Sequence, residues 1–197
     1  MKVLALDLST KTGWAIIEDD NKPIYGFIEA PSTNNYELVP DYDQLLRAKE
    51  IANQIKSVII LHEAIIKFDH VYIEQTNTGS FRTSQKQLEF VHYAVLEMLR
   101  EYGAANKVSY VDTSMWRRTL GIKLSTEQRA HNKKVSRKTA KGKITWKHLS
   151  VNWVNEKFGL ELLLKDNDIA DACCIAWYGF TKSFTVKKKD LNLSDIF

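Results

Sequence analysis

At 197 residues the chain is long enough for one domain with a sizeable core, and its composition is that of an ordinary folded protein with a net charge of +4. No apolar run approaches the roughly 18 residues that span a bilayer, and only six residues precede the first acid, too few for a secretory leader. The two cysteines, Cys173 and Cys174, are adjacent, and no Cys/His group has zinc spacing, so a membrane protein, a disulfide scaffold and a zinc domain are set aside. The expectation is a cytoplasmic protein without a membrane partner.

Lys2 to Leu8 reads as a buried strand, Ser9 to Gly13 as a polar turn, and Trp14 to Glu18 and Ile24 to Glu29 as two more strands, an antiparallel meander. Asp43 to Ile66 carries apolar residues at helical spacing, with Asp41 or Asp43 available as a cap. His70 to Glu74 is a short buried strand. A polar segment, Thr76 to Ser84, leads into an amphipathic helix over Gln85 to Tyr102, closed by Gly103.

Lys107 to Val111 is a fifth strand, and Trp116 to Leu120 a helical turn. Ser125 to Lys143 has no apolar period and is expected to be a loop. Helices follow over Thr145 to Phe158, stopped by Gly159, and over Asn167 to Thr181. The predicted fold is α/β, a mixed sheet flanked by helices. One domain spans residues 1–182, with a basic insertion at about 123–143 and a polar tail over 183–197.

Charge is unevenly placed. Arg117 to His148 holds eleven Lys/Arg and one acid, Glu127, a net +10 that leaves the rest of the chain at −6. Such a concentration is the footprint of a polyanion site. Its members include Arg117, Arg118, Lys133, Lys134, Arg137, Lys138, Lys141, Lys143 and Lys147. A solvated basic loop is the plainer reading of the same run.

Four acids border apolar runs. Asp7 ends Val3-Leu4-Ala5-Leu6, Glu74 ends Val71-Tyr72-Ile73, and Asp168 and Asp171 are set among Ile169, Ala170, Ala172, Cys173 and Cys174. Acids there need a partner, and a hard divalent cation bound by oxygen ligands is a good one. Asp168 and Asp171, three apart, share a helix face, where like charges are mildly unfavourable unless a cation lies between them. Taken singly, Asp7 could cap a turn, Glu74 could be an exposed strand end, and Asp166 is best read as a helix cap.

Three segments in order, Val3-Leu4-Ala5-Leu6-Asp7-Leu8-Ser9, Tyr72-Ile73-Glu74-Gln75 and Asp168-Ile169-Ala170-Asp171-Ala172, resemble the signature of RuvC-type Holliday junction resolvases in the RNase H-like superfamily. The resemblance covers about Met1 to Tyr178. It implies a five-stranded RNase H-like sheet and makes Asp7, Glu74, Asp168 and Asp171 the metal-binding catalytic acids. It further implies two Mg²⁺ per site, with Mn²⁺ able to substitute, and products with 5′-phosphate and 3′-hydroxyl ends. Lys147 matches a family lysine near the scissile phosphate, and Phe81 matches in type an aromatic wedge at the junction centre, flanked by Asn77 and Arg82 on the backbone.

A four-way DNA substrate has two strands to cut, which implies a C₂ homodimer. The helix over Gln85 to Tyr102, with Phe90, His92, Tyr93 and Met98 beyond its core stripe, is the candidate interface. The resemblance leaves any helicase partner open. The insertion and the chain length look more like a phage or other viral member.

Alternatives remain on the sequence alone. An RNase H-like ribonuclease, for instance one that processes ribosomal RNA, would carry the same acids. A sugar-kinase-type ATPase shares the Asp-Leu-Ser-x-x-x-Gly pattern but needs glycine-rich phosphate and adenosine segments, and none of the eight glycines here are adjacent. A catalytically inert nucleic-acid-binding domain would have no use for four such acids.

Overall fold

The computed structural model describes residues 1–19, 21–30, 40–62, 68–75, 82–135 and 142–193, with the side chains at 40, 82–84 and 184–193 outside that description. Five strands form one sheet: β1 (Lys2–Asp7), β2 (Lys11–Glu18), β3 (Ile24–Glu29), β4 (His70–Glu74) and β5 (Val108–Val111), in the order β3-β2-β1-β4-β5. The meander β1-β2-β3 is antiparallel, while β4 and β5 join it in parallel. The mixed sheet predicted from the sequence is the one observed.

Helices cover both faces, which is why β1 and β4 read as continuous apolar runs. Alternation sorts the side chains. Leu4, Leu6, Val71 and Ile73 pack with α1 (Pro40–Leu61) and α2 (Arg82–Glu101), which contribute Ile51, Ile55, Ile59, Val91, Val95 and Leu99. Val3, Ala5 and Tyr72 face the other way, with Trp116 of α3 (Thr113–Thr119), Val154 of α5 (Trp146–Phe158) and the small residues Ala170, Ala172, Cys173, Cys174 and Ala176 of α6 (Asn167–Leu193). Both cysteines are fully buried, and burial pushes both thiols up. They are packing residues.

The structure moves several boundaries. β2 begins at Lys11, three residues before the predicted start, because Lys11, Thr12 and Gly13 pair with Glu29, Ile28 and Phe27 on β3. The turn shrinks to the residues around Ser9, where hydroxyls replace backbone partners. The Ser9 hydroxyl donates to the Lys11 carbonyl (2.7 Å), and the Thr12 hydroxyl donates to the Ser9 carbonyl (2.7 Å).

The predicted loop over Ser125 to Lys143 contains a helix, α4 (Thr126–Lys134). It buries nothing, so apolar periodicity had no means of showing it. Its support is a capping box between Ser125 and Gln128 and a clamp in which the Asn132 amide donates to the Ile144 carbonyl (2.7 Å) and accepts from the Ile144 N–H (2.8 Å). Helix α6 continues to Leu193, well beyond the predicted end at Thr181. Gly103 and Gly159 take positive φ where the sequence places helix ends.

Of the residues expected to project from α2 toward a partner, Met98 and His92 are buried and Phe90 packs on the core of its own chain; Tyr93 is exposed. Among the described residues no helix is long and apolar enough to cross a membrane.

Candidate active site

The sheet parity that sends Val3 and Ala5 toward α6 sends Asp7 there too, and Tyr72 does the same for Glu74. Leu6 pairs in parallel with Ile73, so the next step along both strands sets Asp7 beside Glu74 at their C-terminal ends. Helix α6 begins over the same spot. Its approach depends on Gly13, the partner of Asp7 across the antiparallel ladder. A Cβ there would stand 2.0 Å from the Asp168 carbonyl oxygen and 2.4 Å from its carbon. Only a residue without a side chain lets the first turn of α6 settle on β2 and deliver Asp168 and Asp171 to the strand ends.

The four sequence-predicted acids are therefore brought together. Asp7 and Glu74 are half-buried, Asp168 is half-buried and Asp171 is buried. The Asp7 carboxyl is held well above the ordinary range, first by burial and then by the negative charges of Glu74, Asp171 and Asp168. Asp171 is pushed up to about 6, mainly by burial; Ser150 and Arg117 oppose the shift, and Glu74 and Asp168 add to it. The site is a pocket of negative charge that the protein alone only partly neutralises.

Glu74, Asp171 and Asp168 also have partners outside the cluster. Thr113 donates its hydroxyl to Glu74. Arg117 stands 3.7 Å from Asp171, between the rings of Trp116 (4.8 Å) and Trp146 (5.5 Å). Lys11 reaches Asp168 at 3.9 Å and donates to the Lys165 carbonyl at 3.3 Å. Asp166, expected to cap α6, instead accepts from the Leu163 N–H (2.9 Å) and closes the 3₁₀ turn Leu164–Asp166 before that helix.

The acids suit a hard cation by chemistry. The donor set is all oxygen, and the buried Asp171 Oδ1 has no hydrogen-bond partner. Among the described residues no three Asp, Glu, His or Cys side chains stand as a finished ligand cluster. Glu74 is turned to Thr113 and also hydrogen-bonds Asp7, and Asp171 is turned toward Arg117.

Of the predicted cations, Arg117 reaches the acids, and the others that are described stand exposed on α3, on α4, and on or just before α5. Arg117 and Arg118 lie on α3, with Arg117 half-buried at the acids and Arg118 exposed. Lys147 is exposed on the first turn of α5, one turn before the buried Ser150 that interacts with Asp171, and so on the same helix face. Lys133 and Lys134 are exposed on α4, and Lys143 is exposed where the chain returns to α5. Asn77, Phe81, Arg137, Lys138 and Lys141 lie outside the described residues, as does the side chain of Arg82.

Sequence reasoning missed Lys11, Thr113, Ser150 and Gly13. Thr113 had a faint signal in Asp112-Thr113-Ser114, where Asp112 caps α3 by accepting from the Ser114 N–H (2.7 Å). The others are visible only once α6 is laid across the sheet.

No family model matches the sequence, and no curated protein matches it. Solved structures do resemble it. Thermus thermophilus RuvC in complex with a Holliday junction substrate superposes with a TM-score of 0.60 at 14% identity, covering 90% of this chain and 91% of that one. Thermus thermophilus RuvC in a second structure gives 0.56 at 15%, covering 90% and 92%. A weaker likeness, 0.49 at 11% over 96% and 83%, is to the yeast mitochondrial Holliday junction resolvase. With nearly the full length of both chains superposed on RuvC, this chain has the RuvC form of the RNase H-like fold.

Proposed function

We propose that the chain is a metal-dependent, structure-specific endonuclease that resolves four-way DNA junctions by paired symmetric nicks, leaving 5′-phosphate and 3′-hydroxyl ends. The observation that carries this reading is the convergence of Asp7, Glu74, Asp168 and Asp171 at the C-terminal ends of β1 and β4, with Arg117 against Asp171. The likeness to a RuvC structure that holds a Holliday junction supports branched DNA as the substrate class.

The four acids would hold Mg²⁺, with Mn²⁺ as a substitute and two ions per site. When bound, such ions lower the pKa of an attacking water and offset charge on the phosphate and leaving oxygen. The protein's own contribution is placement and charge. Asp7 and Glu74 are carried by neighbouring strands, and Asp168 and Asp171 by one helix, so the four acids start near one another and would need only side-chain turns to close on a cation. Arg117 and Lys147 would sit against the scissile phosphate and offset charge that develops in the transition state. Arg118, Lys133, Lys134 and Lys143 would track the backbone and set register. Phe81, flanked by Asn77 and Arg82, would be the wedge at the crossover. Arg137, Lys138 and Lys141 would extend the basic track, and a C₂ dimer would cut both strands.

The test is substitution at the acids. Asp7→Asn, Glu74→Gln, Asp168→Asn and Asp171→Asn should each remove cutting of a synthetic four-way junction in Mg²⁺ while junction binding in gel-shift assays persists. Wild-type cutting by any of them would remove that residue from the site. Wild-type protein that cuts RNA–DNA hybrid or structured RNA but no junction would replace the reading with a ribonuclease.

A further inference from the structure

Beside the acids lies a cavity of about 560 Å³ between α3 and α5, lined among others by Thr113, Arg117, Arg118, Ile122, Lys123 and Trp146. Its volume lies within the roughly 300–1,000 Å³ range of small-molecule sites. Two of its walls are already part of the acidic cluster, since Thr113 donates to Glu74 and Arg117 reaches Asp171. A group in this cavity is thus a neighbour of the scissile bond.

The lining has two chemistries. One is apolar and flat: Ile122 is a buried wall, and Trp146, the first residue of α5, is 42% exposed with the Arg117 guanidinium 5.5 Å from its ring. Exposing a Trp ring there is costly unless something covers it. The other is cationic, with Arg118 and Lys123 exposed at the mouth. A flat apolar face beside two cations, in a hollow rather than on a ridge, fits one base with its phosphate. A paired base inside a duplex has no way into such a hollow, whereas an extruded base does.

We infer that this cavity takes a single unpaired nucleotide of the strand being cut, with its base stacked on Trp146 and its phosphate on Arg118 and Lys123. The inference deepens the nuclease reading and rests on it. It gives that reading a source of structure selectivity. At a crossover or a flap the helical stack is interrupted, so a nucleotide there leaves its stack at lower cost than one inside a linear duplex.

The test measures binding, so it needs no cleavage. A short fluorescein-labelled oligothymidylate and a matched strand of abasic residues are titrated by anisotropy without divalent metal. Trp146→Ala should weaken oligothymidylate binding about tenfold or more, in line with the loss of one stacked base. Trp146→Phe should restore most of it, and the abasic strand should bind wild type and Trp146→Ala alike. Equal affinity of wild type and Trp146→Ala for oligothymidylate would overturn the inference, as would an equal loss on the abasic strand. The abasic arm needs no variant to be informative: wild type that binds both strands equally also overturns it. Failure of the wild-type protein to cut junctions bears on the nuclease reading and leaves this binding result to stand by itself.

Discussion

Replacing Asp171 by Asn should stabilise the metal-free protein, because the fold holds that carboxylate against its chemistry. Its pKa is pushed from 3.8 up to about 6, chiefly by burial. At ~1.4 kcal/mol for each tenfold change in proton affinity, about 3 kcal/mol of folding free energy is lost when the group ionises in place. In the unfolded chain the carboxyl ionises near 3.8, so between about pH 4 and pH 6 the folded form holds the extra proton. Stability therefore falls as pH rises through that window and is fully reduced above it.

Asn mimics the neutral acid in size and still offers Arg117 an oxygen, so Asp171→Asn should recover about 3 kcal/mol at pH 7 and lose the share of the pH dependence that Asp171 contributes, leaving that of the raised Asp7. For a chain of this length that is a rise in Tm of about 6–12 °C. The assay is urea and thermal unfolding at pH 4.5 and pH 7.5, with EDTA and then with Mg²⁺. Mg²⁺ should raise the wild-type Tm and leave that of Asp171→Asn nearly unchanged. An Asn variant no more stable than wild type at pH 7.5 in EDTA would mean that the buried carboxylate costs the fold nothing.

Gly13→Ala should cost about 1–3 kcal/mol and most of the activity, because its Cβ would stand 2.0 Å from backbone oxygen and lift the start of α6 off β2; urea midpoints and junction cleavage check both. Asn132→Ala breaks both bonds to Ile144 and should raise protease sensitivity near α4 while global stability changes by no more than about 1 kcal/mol, since α4 buries no residue. Combined Lys133→Ala, Lys134→Ala and Lys143→Ala should weaken junction binding and reduce its log–log salt slope by roughly 2–3; an unchanged slope would mean these lysines do not contact phosphate.

The parts of the molecule that bury apolar surface were legible in the sequence. β1 and β4 announce themselves as short apolar runs, and α1 shows Ile51, Ile55 and Ile59 at helical spacing because that stripe is its core face. The acids at the ends of those runs were legible for the same reason, as charge where burial is expected. Elements held by polar contacts were not. Helix α4 depends on the Ser125 box and on Asn132, and the start of β2 on hydroxyls at Ser9 and Thr12. Neither leaves an apolar pattern. Lys11 and Thr113 meet their acids only through tertiary placement, and the close seat of α6 depends on a glycine that reads in sequence as an ordinary turn residue.

The most direct test is incubation of the wild-type protein and Mg²⁺ with a synthetic four-way DNA junction, beside linear duplex, a flap and an RNA–DNA hybrid, with product ends mapped on sequencing gels. Paired nicks placed symmetrically about the crossover, with 5′-phosphate and 3′-hydroxyl ends, are expected, with little cutting of linear duplex. An intact junction alongside efficient cutting of the hybrid would contradict that expectation.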